Sequence, residues 1–194
     1  MNGALVGYSF ALKGLINFTV NPKADVAAFN FSIPPELHPK QAINSLWIAT
    51  DEFLKELEVH PGDDLLSLGY PLGAESNEVG FPILRSGKIS SYPIIPMRSN
   101  QLLFDFNVFG GNSGGPVYFS YANRVTIKSL KESVFGRRMD QKLVGVVSQQ
   151  ISSMSTGTVE RLGLSIIVPA PFMKDILSTL GSTPQTSIGC EKIK

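Results

Sequence analysis

Gly111-Asn112-Ser113-Gly114-Gly115-Pro116, running straight into Val117-Tyr118-Phe119, sets one serine among glycines at the head of an apolar strand. A glycine before the serine lets the backbone turn so that successive N–H groups point into one small space. Donors held that way can stabilise the negative oxygen that forms when a hydroxyl attacks an acyl carbon. Gly114 and Gly115 keep bulk away from the approach to Ser113, and Pro116 closes the loop onto its strand. The same letters are also good turn chemistry between any two β-strands. The hexapeptide therefore predicts a β protein and offers, without requiring it, a nucleophilic serine.

Outward from this loop, β signals dominate. Asp63 to Pro71 reads as a strand ending in a turn, and Ile83 to Ile89 and Gln101 to Phe106 are further strands. Ala24 to Phe31 alternates apolar and polar side chains near its end and then stops at Ile33-Pro34-Pro35. A short helical pattern covers Asp51 to Leu57. Ser120 to Gln141 carries Arg124, Lys128, Lys131, Arg137 and Arg138, which suits a solvated hairpin insertion or the rim of a cleft.

The hexapeptide resembles the nucleophile motif of the trypsin-like (chymotrypsin-fold) serine proteases, and the likeness extends to both sides. Leu102 to Phe109 resembles the strand and loop before the nucleophile in bacterial HtrA-like members, including an acid at Asp105. Leu143 to Ser148 resembles the strand that lines the specificity pocket. Leu162 to Pro169 resembles the final strand, with Phe172 to Leu180 as the closing helix. The resemblance implies an all-β double β-barrel of the chymotrypsin/trypsin type, with an incomplete first barrel and a short C-terminal helix. Residues 1–48 would be the remainder of the first barrel and 49–61 the inter-barrel linker. Residues 62–170 would form the second barrel with the nucleophile loop, and 171–194 the C-terminal helix and tail.

The resemblance also implies roles. Ser113 would attack the scissile carbonyl, and the N–H groups of Gly111 and Ser113 would hold the oxyanion. Asn21 to Phe29 is similar to the family's short Asp-(aliphatic)-Ala motif, which makes Asp25 the carboxylate that orients the base. Val147, Ser148 and Gln149 would line the polypeptide substrate. A serine hydroxyl needs an adjacent imidazole to take its proton, and here the sequence departs from the family. No histidine precedes Asp25; the chain has only His38 and His60, each followed by proline. Such segments are extended or turn-like, and the family's connectivity puts them away from the nucleophile. The expectation is a chain lacking the front of its first barrel, nearly inert by itself, within a protein that is a protease when complete. Asn112 stands where animal trypsin-like enzymes carry an aspartate, so activation through a new N-terminal ammonium is not expected. No acid stands just before the nucleophile to select Lys or Arg, since Phe109 and Gly110 occupy that approach, and a small or apolar residue is expected at the cleavage position.

Composition narrows the alternatives. At 194 residues, one all-β unit is routine. A net charge of +1 without a basic block speaks against a nucleic-acid surface. The single Cys190 excludes an internal disulfide framework and reads as an incidental thiol. No stretch has the apolar length of a membrane span, and Met1 to Val20 lacks the charged start and cleavage site of a leader. The chain reads as soluble. No His, Cys and carboxylate cluster has metal-ligand spacing, so neither metal nor organic cofactor is implied. Beside the serine endopeptidase stand two other functions: a pseudoprotease that binds peptide or protein without turnover, and an esterase using the same serine.

Overall fold

The computed structural model describes residues 8–13, 18–31, 43–99, 101–121, 140–155, 158–180 and 187–192. Its first strands are β1 (Tyr8–Lys13), β2 (Thr19–Val20) and β3 (Ala27–Ala28). The barrel strands follow: β4 (Asp64–Gly69), β5 (Ile83–Ile89), β6 (Leu102–Asp105), β7 (Pro116–Tyr121), β8 (Asp140–Ser155) and β9 (Thr158–Pro169). These six close an antiparallel barrel in the order β4-β5-β6-β9-β8-β7. The chain is mostly β, as the alternation predicts, with one short helix after the last barrel strand. Closure leaves no open edge in this sheet, so every barrel strand has a partner on both sides.

Burial alternates along β4 and β5, and the inward set forms the core. Leu65, Phe104, Val117, Phe119, Val144, Val147 and Ile167 are all essentially inaccessible. Phe104 and Phe106 stack with ring centroids 4.7 Å apart. Helix α1 (Asp51–Glu56) adds Leu54 to the same core. The Thr50 hydroxyl caps α1 by accepting the Phe53 N–H at 3.2 Å, and Asp51 accepts the Met97 N–H at 3.0 Å. Helix α2 (Ala170–Thr179) starts where Pro169 ends β9 and buries Ala170 and Ile176.

Two expectations change. The strand expected over Ala24 to Phe31 shrinks to Ala27–Ala28, because Asn21 to Val26 is a turn. There the Asn21 N–H donates to Val26 O at 3.0 Å and the Lys23 N–H to Asn21 Oδ1 at 2.9 Å. A side chain that bonds its own backbone two residues on competes with strand pairing. The C-terminal tail, expected without structure, contains β10 (Ser187–Lys192), which pairs antiparallel with β1, Cys190 opposite Phe10. Of the insertion expected over Ser120 to Gln141, residues 122–139 lie outside the described residues. Its flanks pair as a hairpin, Tyr121 opposite Asp140.

Candidate functional site

The Phe109–Pro116 loop is held by its backbone on two sides. Towards the turn after β4, the Tyr70 N–H donates to Gly111 O at 3.1 Å and the Leu72 N–H to Gly110 O at 2.7 Å. Towards β8, the Gly114 N–H donates to Val147 O at 2.7 Å and the Val147 N–H to Gly115 O at 2.9 Å. Glycine is required twice. Gly111 has φ +92°, and a Cβ there would lie 2.0 Å from Tyr70 O; at Gly115 it would lie 2.3 Å from Leu68 O. The sequence makes a tight loop because only glycine fits against the β4 backbone at these two points.

Within this frame Ser113 is exposed while its neighbour Asn112 is 2% exposed. Among the described residues no acceptor receives the N–H groups of Gly111 or Ser113. Two unoccupied donors beside an exposed hydroxyl are what an acyl oxyanion would need. A cleft of about 350 Å³ opens at the same place, lined by Leu68, Tyr70, Pro82, Gly111, Ser113 and Pro116.

Asp25 comes to the loop from a distant part of the chain. The Ser113 hydroxyl donates to Ser148 O at 2.9 Å, and the Ser148 hydroxyl donates to Asp25 Oδ2 at 2.7 Å. The position of Ser148 follows from a register shift: Val147 pairs with Ile167 and Gln149 with Ile166, so Ser148 is the bulged residue of β8. A bulge re-aims a side chain out of the regular pleat. The turn that shortened the early strand delivers Asp25, and the Asn21 amide anchors that turn by donating to Phe172 O of α2 at 3.2 Å.

Ser113, Asp25 and Ser148 thus come together. Ser148, expected to contact substrate, also bonds Asp25, and nothing in Val147-Ser148-Gln149 marks the bulge that brings the two together. Val147 is buried and gives both backbone groups to the loop, so it lies behind the site; Gln149 is exposed. His60 does not join this group. His60 is exposed on its own turn, its Nδ1 3.1 Å from Pro61 O and 3.7 Å from Asp63 Oδ1. His38 lies outside the described residues. Among the described residues no three His, Cys, Asp or Glu side chains gather where they could hold a metal ion, and no helix is long and apolar enough to cross a membrane. No known family model matches this chain, and no curated protein sequence does either.

Proposed function

We propose that this chain is the nucleophile-bearing part of a trypsin-like serine endopeptidase, built on the double-barrel plan, that cleaves polypeptides through an acyl-enzyme on Ser113. The observation that carries this reading is the hydrogen-bonded series Ser113, Ser148 and Asp25, drawn from three separate parts of the chain. In the reaction, the Ser113 hydroxyl leaves its resting bond to Ser148 O and attacks the scissile carbonyl. The Gly111 and Ser113 N–H groups take the oxyanion, and Ser148 O becomes free to accept a substrate N–H. Asp25, held by the Ser148 hydroxyl, orients the group that removes the Ser113 proton. Collapse of the tetrahedral intermediate breaks the scissile C–N bond, and the amine leaves with the proton taken from Ser113; water then hydrolyses the ester, releasing the new carboxylic acid and restoring Ser113.

A second reading is favoured by a specific observation: the Ser113 hydroxyl donates to a carbonyl and not to an imidazole. A carbonyl cannot take up a proton at neutral pH, so the same cleft would serve as a peptide-binding module. A fluorophosphonate probe followed by peptide mapping separates the two. An adduct on Ser113, with peptide hydrolysis abolished in Ser113→Ala, supports the endopeptidase. Peptide binding that survives Ser113→Ala, with no adduct and no hydrolysis, overturns it in favour of the binding module. Parallel ester and peptide substrates test for an esterase, which would turn over only the former.

A further inference from the structure

Phe109, four positions before Ser113, is flanked by two arginines from different strands. The Arg161 guanidinium of β9 lies 5.5 Å from the centre of its ring and that of Arg85 from β5 lies 5.7 Å from it. Arg85 also stands 4.6 Å over the Phe106 ring, and its Nη1 donates to Asn107 O at 2.6 Å. Arg85 is half-buried on the same side of β5 as Ile89, so it sits on the inward side of the strand. The aromatic faces attract these cations but do not neutralise them.

No acid does so among the described residues. The ion pairs His60–Asp63, Lys88–Asp64 and Arg98–Asp175 include neither arginine, and neither Asp105 nor Glu160, next in sequence to this group, joins either of them. Two like charges on one ring repel each other unless an anion lies between them. Gln150, two residues past Ser148 on β8, has a buried Nε2 with no hydrogen-bond partner. A buried donor left unpaired is costly, and such sites are commonly completed by a ligand.

We propose that this group selects a carboxylate: the residue that supplies the scissile carbonyl is Asp or Glu, recognised by Arg85 and Arg161. This rests on the peptide-binding reading of the Ser113 site and replaces the small or apolar preference expected from Phe109 and Gly110. The guanidinium fork matches a carboxylate and not an aliphatic side chain. Phe109, which both arginines flank, opens the loop that carries Ser113, and this is what ties the two guanidinium groups to that site.

Binding of peptides tests this without requiring turnover. Amidated hexapeptides identical except for Glu, Gln or Val at the last position are titrated into the full chain, with a Gln peptide ending in a free carboxylate as a fourth ligand. The Glu amide is expected to bind at least about tenfold tighter than the Gln amide. That preference should disappear in Arg85→Gln and Arg161→Gln and persist in Arg85→Lys, with unfolding curves showing each variant folded. Equal or tighter binding of the Val or Gln amide overturns the acidic preference and leaves the peptide site standing. So does a Gln free acid that matches the Glu amide, since the arginines would then read a chain terminus. Absence of binding by every peptide overturns both this proposal and the peptide site.

Discussion

Each strand of the β4–β9 barrel has two neighbours, whereas β2 and β3 share only two residue pairs and no other described strand lies beside them. The barrel buries its aromatics, Phe104 and Phe119 being fully inaccessible; the β2–β3 hairpin leaves Phe18 and Phe31 about half exposed. The hairpin is held from outside, through Asn21 to α2 and Asp25 to Ser148. Two strands alone are marginal in water. The candidate site nevertheless takes Ser113 from the first region and Asp25 from the second. Its geometry is therefore as firm as the weaker region's attachment, and perturbing each region separately measures that dependence.

The largest effect should come from the barrel. Phe104→Ala empties a fully buried ring site that stacks on Phe106. A loss of about 3–5 kcal/mol in denaturant unfolding is expected, with hydrogen-exchange protection falling in all six barrel strands together. A loss under about 1 kcal/mol would show that the barrel is not the stable unit and that the contrast between the regions is misplaced.

The loop should come next. Gly111→Ala forces a methyl into Tyr70 O at a positive φ, while a Cβ at Gly110 meets nothing within 4 Å. We expect Gly111→Ala to cost about 2 kcal/mol or more and Gly110→Ala to stay within about 0.5 kcal/mol. Equal effects at the two positions would mean that the loop is not seated on the β4 turn.

These two regions also differ in how readable they were. Ile83–Ile89 alternates cleanly because one face of β5 is buried, and its bounds follow from the residues alone. The Gly111–Pro116 loop is legible because close backbone approach admits only glycine there. Beyond Ser148, β8 runs on through Gln149 to Ser155, where polar residues give no burial signal and only pairing with β9 makes a strand. The β1–β10 pairing joins opposite ends of the chain, and local patterns carry no trace of a partner so distant. Asp25 was legible only as a motif; its contact with Ser148 depends on a bulge set by tertiary pairing. The arginines about Phe109 were missed for the same reason, since β5 and β9 reach it only in three dimensions.

A smaller effect should follow from cutting the link between the regions. Ser148→Ala removes the donor to Asp25 Oδ2 and leaves the carbonyl that accepts from Ser113. Stability should fall by about 1 kcal/mol at most, the net worth of one such bond. Hydrogen exchange over residues 18–31 should accelerate while the barrel strands keep their protection. Unchanged exchange there would mean that Asn21 and α2 hold the hairpin unaided.

The smallest effect concerns acid. The Arg98 guanidinium grips the Asp175 carboxylate of α2 through two hydrogen bonds, Nη2 to Oδ1 at 2.7 Å and Nη1 to Oδ2. The bonds from Arg98 hold the Asp175 carboxyl below its ordinary value, with Lys23 of the hairpin turn contributing a weaker attraction. A folded-state value below the unfolded one means that the pair's contribution is complete above the ordinary carboxylate range. It is lost as pH falls through the lowered value, when Asp175 takes up a proton. Both groups are solvent-exposed, so the effect on global unfolding should be slight and weaker in high salt. The hairpin should register it more than the barrel, because α2 carries the Phe172 carbonyl that anchors Asn21. Exchange over residues 18–31 should therefore rise on acidification before the barrel responds, and Arg98→Ala should show that faster exchange already at neutral pH. Acid and Arg98→Ala that leave the hairpin as protected as before would show that α2 is seated by Ala170 and Ile176 alone, which are buried and insensitive to charge.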